Sequence, residues 1–249
     1  MALTRFLAVW LLFTLAACQA PRAEGPNATP AVDEELASLL ACNDRAIGGE
    51  ALRAIQAVEF DLEIVEPGFS LTGLYRADRA GVVRIDVFAG TERVFSEGWE
   101  HGAGWQLPQG ASVPVPIDES AAAPLWHGLE QPGHLWTLQD MTRNGHVVEL
   151  VDDPESVSSE TALVKVTLRD GFEVWYRLDR SSCRILANRD FRAFHPDIDP
   201  EQRWIETRFE GFQAEDGVTR ARTSFNVDLA SGDTIGRTRL LAVRAILSR

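Results

Sequence analysis

The sequence predicts an α+β domain that is mainly β: an antiparallel sheet with one apolar face, covered by helices. Three observations predict it. Val58, Phe60, Leu62 and Ile64 alternate with Glu59, Asp61 and Glu63, the period of a strand with one buried and one wet face. Strand-length segments recur along the rest of the chain, many joined by polar turns so short that the neighbours must run antiparallel. Helical periodicity, by contrast, is confined to two stretches, one just before this first strand and one around Trp126.

The chain opens with one charge, Arg5, and an apolar run over residues 6–17 that ends at Cys18. The run is too short to span a bilayer and has the charged, apolar and small-residue order of a secretory signal. Leu15-Ala16-Ala17-Cys18 resembles the lipobox of bacterial lipoproteins: an aliphatic residue, two small residues and the acylated cysteine. The resemblance implies removal of residues 1–17 and acylation of Cys18 by palmitate-type chains, several of which give a stable anchor. Gln19 stands where an aspartate would, by analogy with enterobacterial lipoproteins, retain the protein at the inner membrane, so the expected location is the periplasmic face of the outer membrane. Residues 18–32 are rich in Pro, Ala and Gly and lack periodicity, which makes them a tether with a span on the order of 20 Å.

Loss of Arg5 with the signal takes the formal charge from −13 to −14. So acidic a chain is excluded as a nucleic-acid binder or as a protein held on anionic lipid by charge. With Cys18 assigned to lipid, Cys42 and Cys183 remain in a compartment that permits disulfides. A bridge would contribute roughly 4 kcal/mol, less any strain; the alternative is two buried free cysteines acting as small hydrophobes.

Residues 33–249 are expected to form a single domain. Asp33-Glu34-Glu35 supplies an N-cap and first-turn acids, and Leu36, Leu39, Leu40, Asn43 and Ile47 follow on one helical face. Gly48-Gly49 ends that helix with the left-handed residue a C-terminus requires, and residues 50–56 add a second short one. A phosphate loop at the double glycine is excluded by the lack of a preceding strand and a following Lys-Ser/Thr. Strands are then expected over residues 58–64, 69–77, 82–88, 93–99 and 104–107. Residues 119–129 read as a helix carrying Leu125, Trp126 and Leu129, and a helix that interrupts a meander must bury its apolar side on the sheet. Further strands are expected over 135–139, 145–151, 162–168, 173–178, 183–191, 203–212, 218–229 and 234–247.

In this order the chain resembles the LolA/LolB-like superfamily of periplasmic lipoprotein carriers and its uncharacterised outer-membrane lipoprotein branch. The residues carrying the resemblance are residues 46–52 running into the first strand, the helix around Trp126, and the late pair of segments 175–179 and 206–212 ending at Asp216-Gly217-Val218. It implies a strongly curved antiparallel sheet, an open half-barrel, whose concave apolar face is covered by helices and holds acyl chains. The turns at residues 66–68, 78–81 and 89–90 lack the protruding apolar residue of a LolB-type acceptor, and no functional residue is carried over from the family.

The five histidines, His101, His127, His134, His146 and His195, have no metal-ligand spacing, and no cofactor motif is present. Residues 195–201 alternate carboxylates like a calcium loop, but two prolines and no glycine mark a solvated turn. No Gly-x-Ser-x-Gly elbow occurs, so no catalysis is expected. Trp99, Trp105, Trp126, Trp136, Trp175 and Trp204 either line an acyl-chain cavity or fill a solid core. If there is a cavity, Leu125, Trp126, Leu129, Trp105 and Trp136 are its expected lining. The expectation is therefore a monomeric, lipid-anchored protein that binds a lipid, an acyl chain or a lipoprotein; the competing class is a structural or envelope-assembly protein with a solid core that binds another protein through the sheet rim.

Overall fold

The computed structural model of the chain describes residues 34–152, 160–196 and 199–247. The signal peptide, Cys18 and the tether assigned to residues 1–32 lie outside the described residues, as does Asp33. Val32–Arg249 form one compact unit.

The unit is mainly β and is built on one curved, 13-stranded antiparallel sheet that is not closed into a barrel. The chain enters through helix α1 (Glu34–Ile47) and the short α2 (Gly49–Ala54), then meanders outward through β1 (Ile55–Glu66), β2 (Phe69–Asp78), β3 (Val83–Ala89), β4 (Glu92–Glu100), β5 (Ala103–Pro108) and the two-residue β6 (Val115–Pro116). Helices α3 (Glu119–Glu130) and α4 (Leu138–Arg143) follow before a second meander through β7 (Val147–Val151), β8 (Thr161–Thr167), β9 (Glu173–Asp179), β10 (Ile185–His195) and β11 (Asp199–Glu210). A detached hairpin, β12 (Gln213–Glu215) and β13 (Val218–Arg220), precedes β14 (Thr223–Asp228) and β15 (Thr234–Leu247). The strand order β6-β5-β4-β3-β2-β1-β15-β14-β11-β10-β9-β8-β7 puts the first and last strands side by side at the centre of the sheet. The two free edges are the proline-flanked β6 and the short β7, both poor templates for adding a strand.

The alternation in β1 does what its period requires. Val58 and Phe60 are buried inward. Outward, Glu59 bonds Arg76 at 2.8 Å and Arg244 at 3.0 Å, Asp61 takes Arg244 at 2.7 Å, and Glu63 meets Arg239 at 3.2 Å. This exposed ladder joins β1 to β2 and β15 and reinforces register more than stability.

The inward side carries two cores. One joins Leu36 and Leu40 of α1 and Leu138 and Met141 of α4 to Val164, Val166, Val174, Tyr176 and Leu178 on β8 and β9. The other joins Leu52, Leu129 and Leu135 to Val58, Phe60, Ala77, Val83 and Val218. Trp136 packs against both.

Two fastenings hold the cover on the sheet. Cys42 of α1 is bonded to Cys183 in the β9–β10 turn, with Cα atoms 5.7 Å apart, and Asn43 Nδ2 donates to the Cys183 carbonyl at 2.8 Å. At the α1–α2 junction Gly48 is left-handed (φ +76°), and a Cβ there would lie 1.8 Å from the Gly217 carbonyl oxygen, so only glycine lets the junction rest on the β12–β13 hairpin. Arg79 completes the joint: its Nε donates to Ile55 O at 2.7 Å and its Nη2 to Leu52 O at 3.1 Å and Leu135 O at 2.6 Å, while its guanidinium lies 4.2 Å from the Trp136 ring centre.

Two expected strands are corrected. Residues 135–139 do not form a strand: Thr137 caps α4 through a capping box with Asp140, whose side chain also receives Arg53 Nε at 3.2 Å. Residues 218–229 are two strands, because the chain leaves the hairpin at Ala221-Arg222 to enter the main sheet as β14.

Candidate functional site

Where the two cores face each other they leave a cavity of about 280 Å³. Its floor is the inward face of the sheet: Phe60 and Leu62 of β1, Leu240 of β15, Phe209 of β11 and Tyr176 of β9. Its cover is Ile47 and Leu52 from the helices, the 131–134 loop, and Val218 and Arg220 of the hairpin. The walls are mostly carbon, and the volume lies at the lower edge of the roughly 300–1,000 Å³ of small-ligand sites, which suits one acyl chain better than the several of a lipoprotein.

The polar groups in this space are mostly uncharged. His134 Nδ1 and the Tyr75 hydroxyl share a hydrogen bond of 3.0 Å, and the imidazole stands edge-on to the Phe60 and Tyr75 rings, at 5.1 and 4.8 Å between centres. Burial, helped by the charge of Arg220, pushes the His134 imidazole down to about 4, and burial pushes the Tyr75 phenol up, so both are neutral at pH 7. Tyr176 donates from its hydroxyl to Gln131 Oε1 at 3.2 Å; burial, with the charge of Asp190, raises it well above the usual phenol range. Among the described residues two arginines line the wall: Arg222, paired with Glu215 at 2.6 Å, and the more deeply buried Arg220, whose guanidinium carbon is 5.8 Å from the Phe60 ring centre.

A second, wider depression of about 790 Å³ lies between α3 and the β10–β11 turn and is bordered by Glu97, Asp118, Arg192 and His195. His127 lies at its inner edge, with Nε2 2.9 Å from Asp170 Oδ2 and its ring stacked on Phe172 at 4.0 Å. A histidine oriented by a carboxylate is half of a nucleophile-activating set. Among the described residues no hydroxyl or thiol bonds to the His127 ring, and no group of three or more His, Cys, Asp or Glu side chains is placed to hold a metal ion.

The sequence-expected lining residues all sit on or beside α3, and none of them is among the residues that line the cavity, although Gly128 of α3 is. Leu129 is in the second core, and Trp136 donates from Nε1 to its carbonyl at 3.1 Å. Trp126 leans on Trp99, 6.3 Å between ring centres, Trp105 lies under Arg84 at 5.4 Å, and Leu125 borders the wider depression. The reason is topological: α3 packs on β3, β4 and β5, whereas the cavity lies over β1, β15, β14, β11 and β10. Sequence reasoning missed Arg220 and His134. A signal existed for the first, since the alternation Val218-Thr219-Arg220 sets the arginine on the same face as buried Val218.

The crystal structure of a LolA superfamily protein from Nitrosomonas europaea superposes on this one with a TM-score of 0.55, over 86% of this chain and 94% of that one, at 10% sequence identity. The fold is LolA-like. A DUF1329 family protein from Desulfovibrio piger gives a TM-score of 0.53 over 85% of this chain and 94% of that one, at 11% identity. No family model and no curated protein matches the sequence. At such identities the likeness speaks for the LolA-like architecture alone; the chemistry of the cavity has to be read from its own residues.

Proposed function

We propose that this protein is a lipid-anchored periplasmic protein of the outer membrane that binds a hydrophobic or amphiphilic molecule, a lipid or acyl chain, on the concave face of its sheet and catalyses nothing. The observation that carries the proposal is the carbon-walled cavity between the two cores, on the inward face of the curved sheet. The anchor rests on Leu15-Ala16-Ala17-Cys18, and the location on that motif together with Gln19. Among the described residues no helix is long and apolar enough to cross a membrane, so on this reading attachment falls to the acyl chains on Cys18. The competing reading, a protein binder with a solid interior, finds apolar side chains on the rim, Val115 on β6 and Val147 on β7, but not the filled interior it requires.

Growth of cells on radiolabelled palmitate tests both halves. Envelope-purified protein is expected to carry label in two forms: covalent label that disappears in Cys18→Ala, and label that organic solvent extracts from wild type and from Cys18→Ala alike. Covalent label persisting in Cys18→Ala would remove the anchor; an absence of extractable label would remove the carrier.

A further inference from the structure

Among the described arginines Arg220 is the most buried. It is 9% exposed, and its Nε and Nη2 are buried with no hydrogen-bond partner. Its neighbour Arg222 is paired through Nη2 with Glu215 at 2.6 Å, as Arg84 is with Asp86 and Arg192 with Asp190, although the Arg222 Nε is also buried without a partner. Carboxylates are not scarce in a chain with 37 of them, so the lack of one at Arg220 is specific to the position. Glu215 and Asp216 exert a field on the guanidinium from the hairpin turn, but neither bonds to it. A guanidinium does not shed its proton to escape burial. It needs an anion, and leaving it unpaired is costly.

The surroundings state which anion fits. The guanidinium lies beside Phe60 at the carbon-walled cavity, close enough to His134 for its charge to act on that imidazole, and Leu62, Leu240 and Phe209 line the same space. The site thus offers a buried guanidinium charge at one wall and room for one hydrocarbon chain along the others. We infer that the cavity takes a single-chain carboxylic acid, a free fatty acid, with its carboxylate paired to the Arg220 guanidinium and its chain lying between Phe60, Leu240 and Phe209. The inference rests on reading the cavity as a ligand site, and names the chemical class that site selects. A phosphate monoester offers the same oxygens with more charge, which Glu215 and Asp216 oppose; the carboxylate is therefore preferred.

Titration calorimetry with dodecanoate, 1-dodecanol and dodecyl phosphate separates these. Wild type is expected to bind dodecanoate about tenfold or more tighter than dodecanol, the gain of charge-assisted hydrogen bonds. Arg220→Met should bring dodecanoate down to or below the level of dodecanol. Arg220→Lys, which keeps the charge and loses the fork, should fall between them. Equal binding of dodecanoate and dodecanol by wild type would overturn the inference and leave the cavity reading standing, and this comparison needs no variant to fold. Dodecyl phosphate binding tighter than dodecanoate would overturn the carboxylate assignment. Failure of all three to bind would overturn the cavity reading itself.

Discussion

Replacing Cys42 and Cys183 together by alanine is expected to lower the free energy of unfolding by about 5 kcal/mol, as the chain-entropy model gives for a loop of this length. The bridge spans 141 positions in sequence and ties the entering helix to the turn between β9 and β10, the far side of the half-barrel from β1. Without it, α1 is held by Leu36, Leu39 and Leu40, by Asn43 on the Cys183 carbonyl, and by the exposed pair of Glu35 with Arg180. The loss should therefore concentrate in α1. Urea unfolding of the two proteins reads the total, and amide hydrogen exchange reads whether α1 opens ahead of the sheet. A difference under about 1 kcal/mol would show that the bridge constrains little that packing does not already hold.

Gly48→Ala is the second large effect, at least about 3 kcal/mol. Part is conformational, since φ +76° costs a side chain on the order of 1–3 kcal/mol. The rest is steric: the added carbon would fall 1.8 Å from the Gly217 carbonyl oxygen, so the α1–α2 junction and the β12–β13 hairpin must part. Gly90 supplies the control, being left-handed at φ +65° with nothing within 4 Å of an added carbon, so Gly90→Ala should show the conformational cost alone. Thermal unfolding of both variants separates the terms. Because the hairpin carries Val218 and Arg220 into the cavity wall, Gly48→Ala should also weaken dodecanoate binding, while Gly90→Ala should not. Equal destabilisation by the two substitutions would contradict the close contact.

Much of the architecture was legible because it is written in local period. The change from helix to strand across residues 46–64 is visible in the double glycine and in the alternation that follows it, and the ladder of Glu59, Asp61 and Glu63 takes up arginines on the neighbouring strands as an outward face should. Parity and compartment pointed to the bridge of Cys42 and Cys183. The helix at 138–143 was hidden because Leu135, Trp136 and Leu138 look like a strand to a period count, while its marker, Thr137 followed by Asp140, is a capping signal. The break between β13 and β14 was hidden because Ala221-Arg222 carries no turn residue.

The site was the least legible part, for a different reason. Whether two cores meet or leave room depends on Phe60, Tyr176, Phe209 and Leu240, which come together only because β15 returns to pair with β1. No local pattern records that closure, whereas the tryptophans beside α3, conspicuous in the sequence, pack against one another and against Arg84. Arg220 could have been noticed as an inward charge on a short strand; its lack of a partner could not.

The central claim is that the space under α1, α2 and the hairpin is a hydrocarbon site. A crystal of the protein soaked with ω-bromododecanoic acid tests it most directly, because bromine reports its own position by anomalous scattering. One bromine peak is expected inside the cavity, within van der Waals reach of Phe60, Phe209 or Leu240. Bromine found only on the outer face, or an interior closed by side chains with no peak at saturating acid, would contradict it.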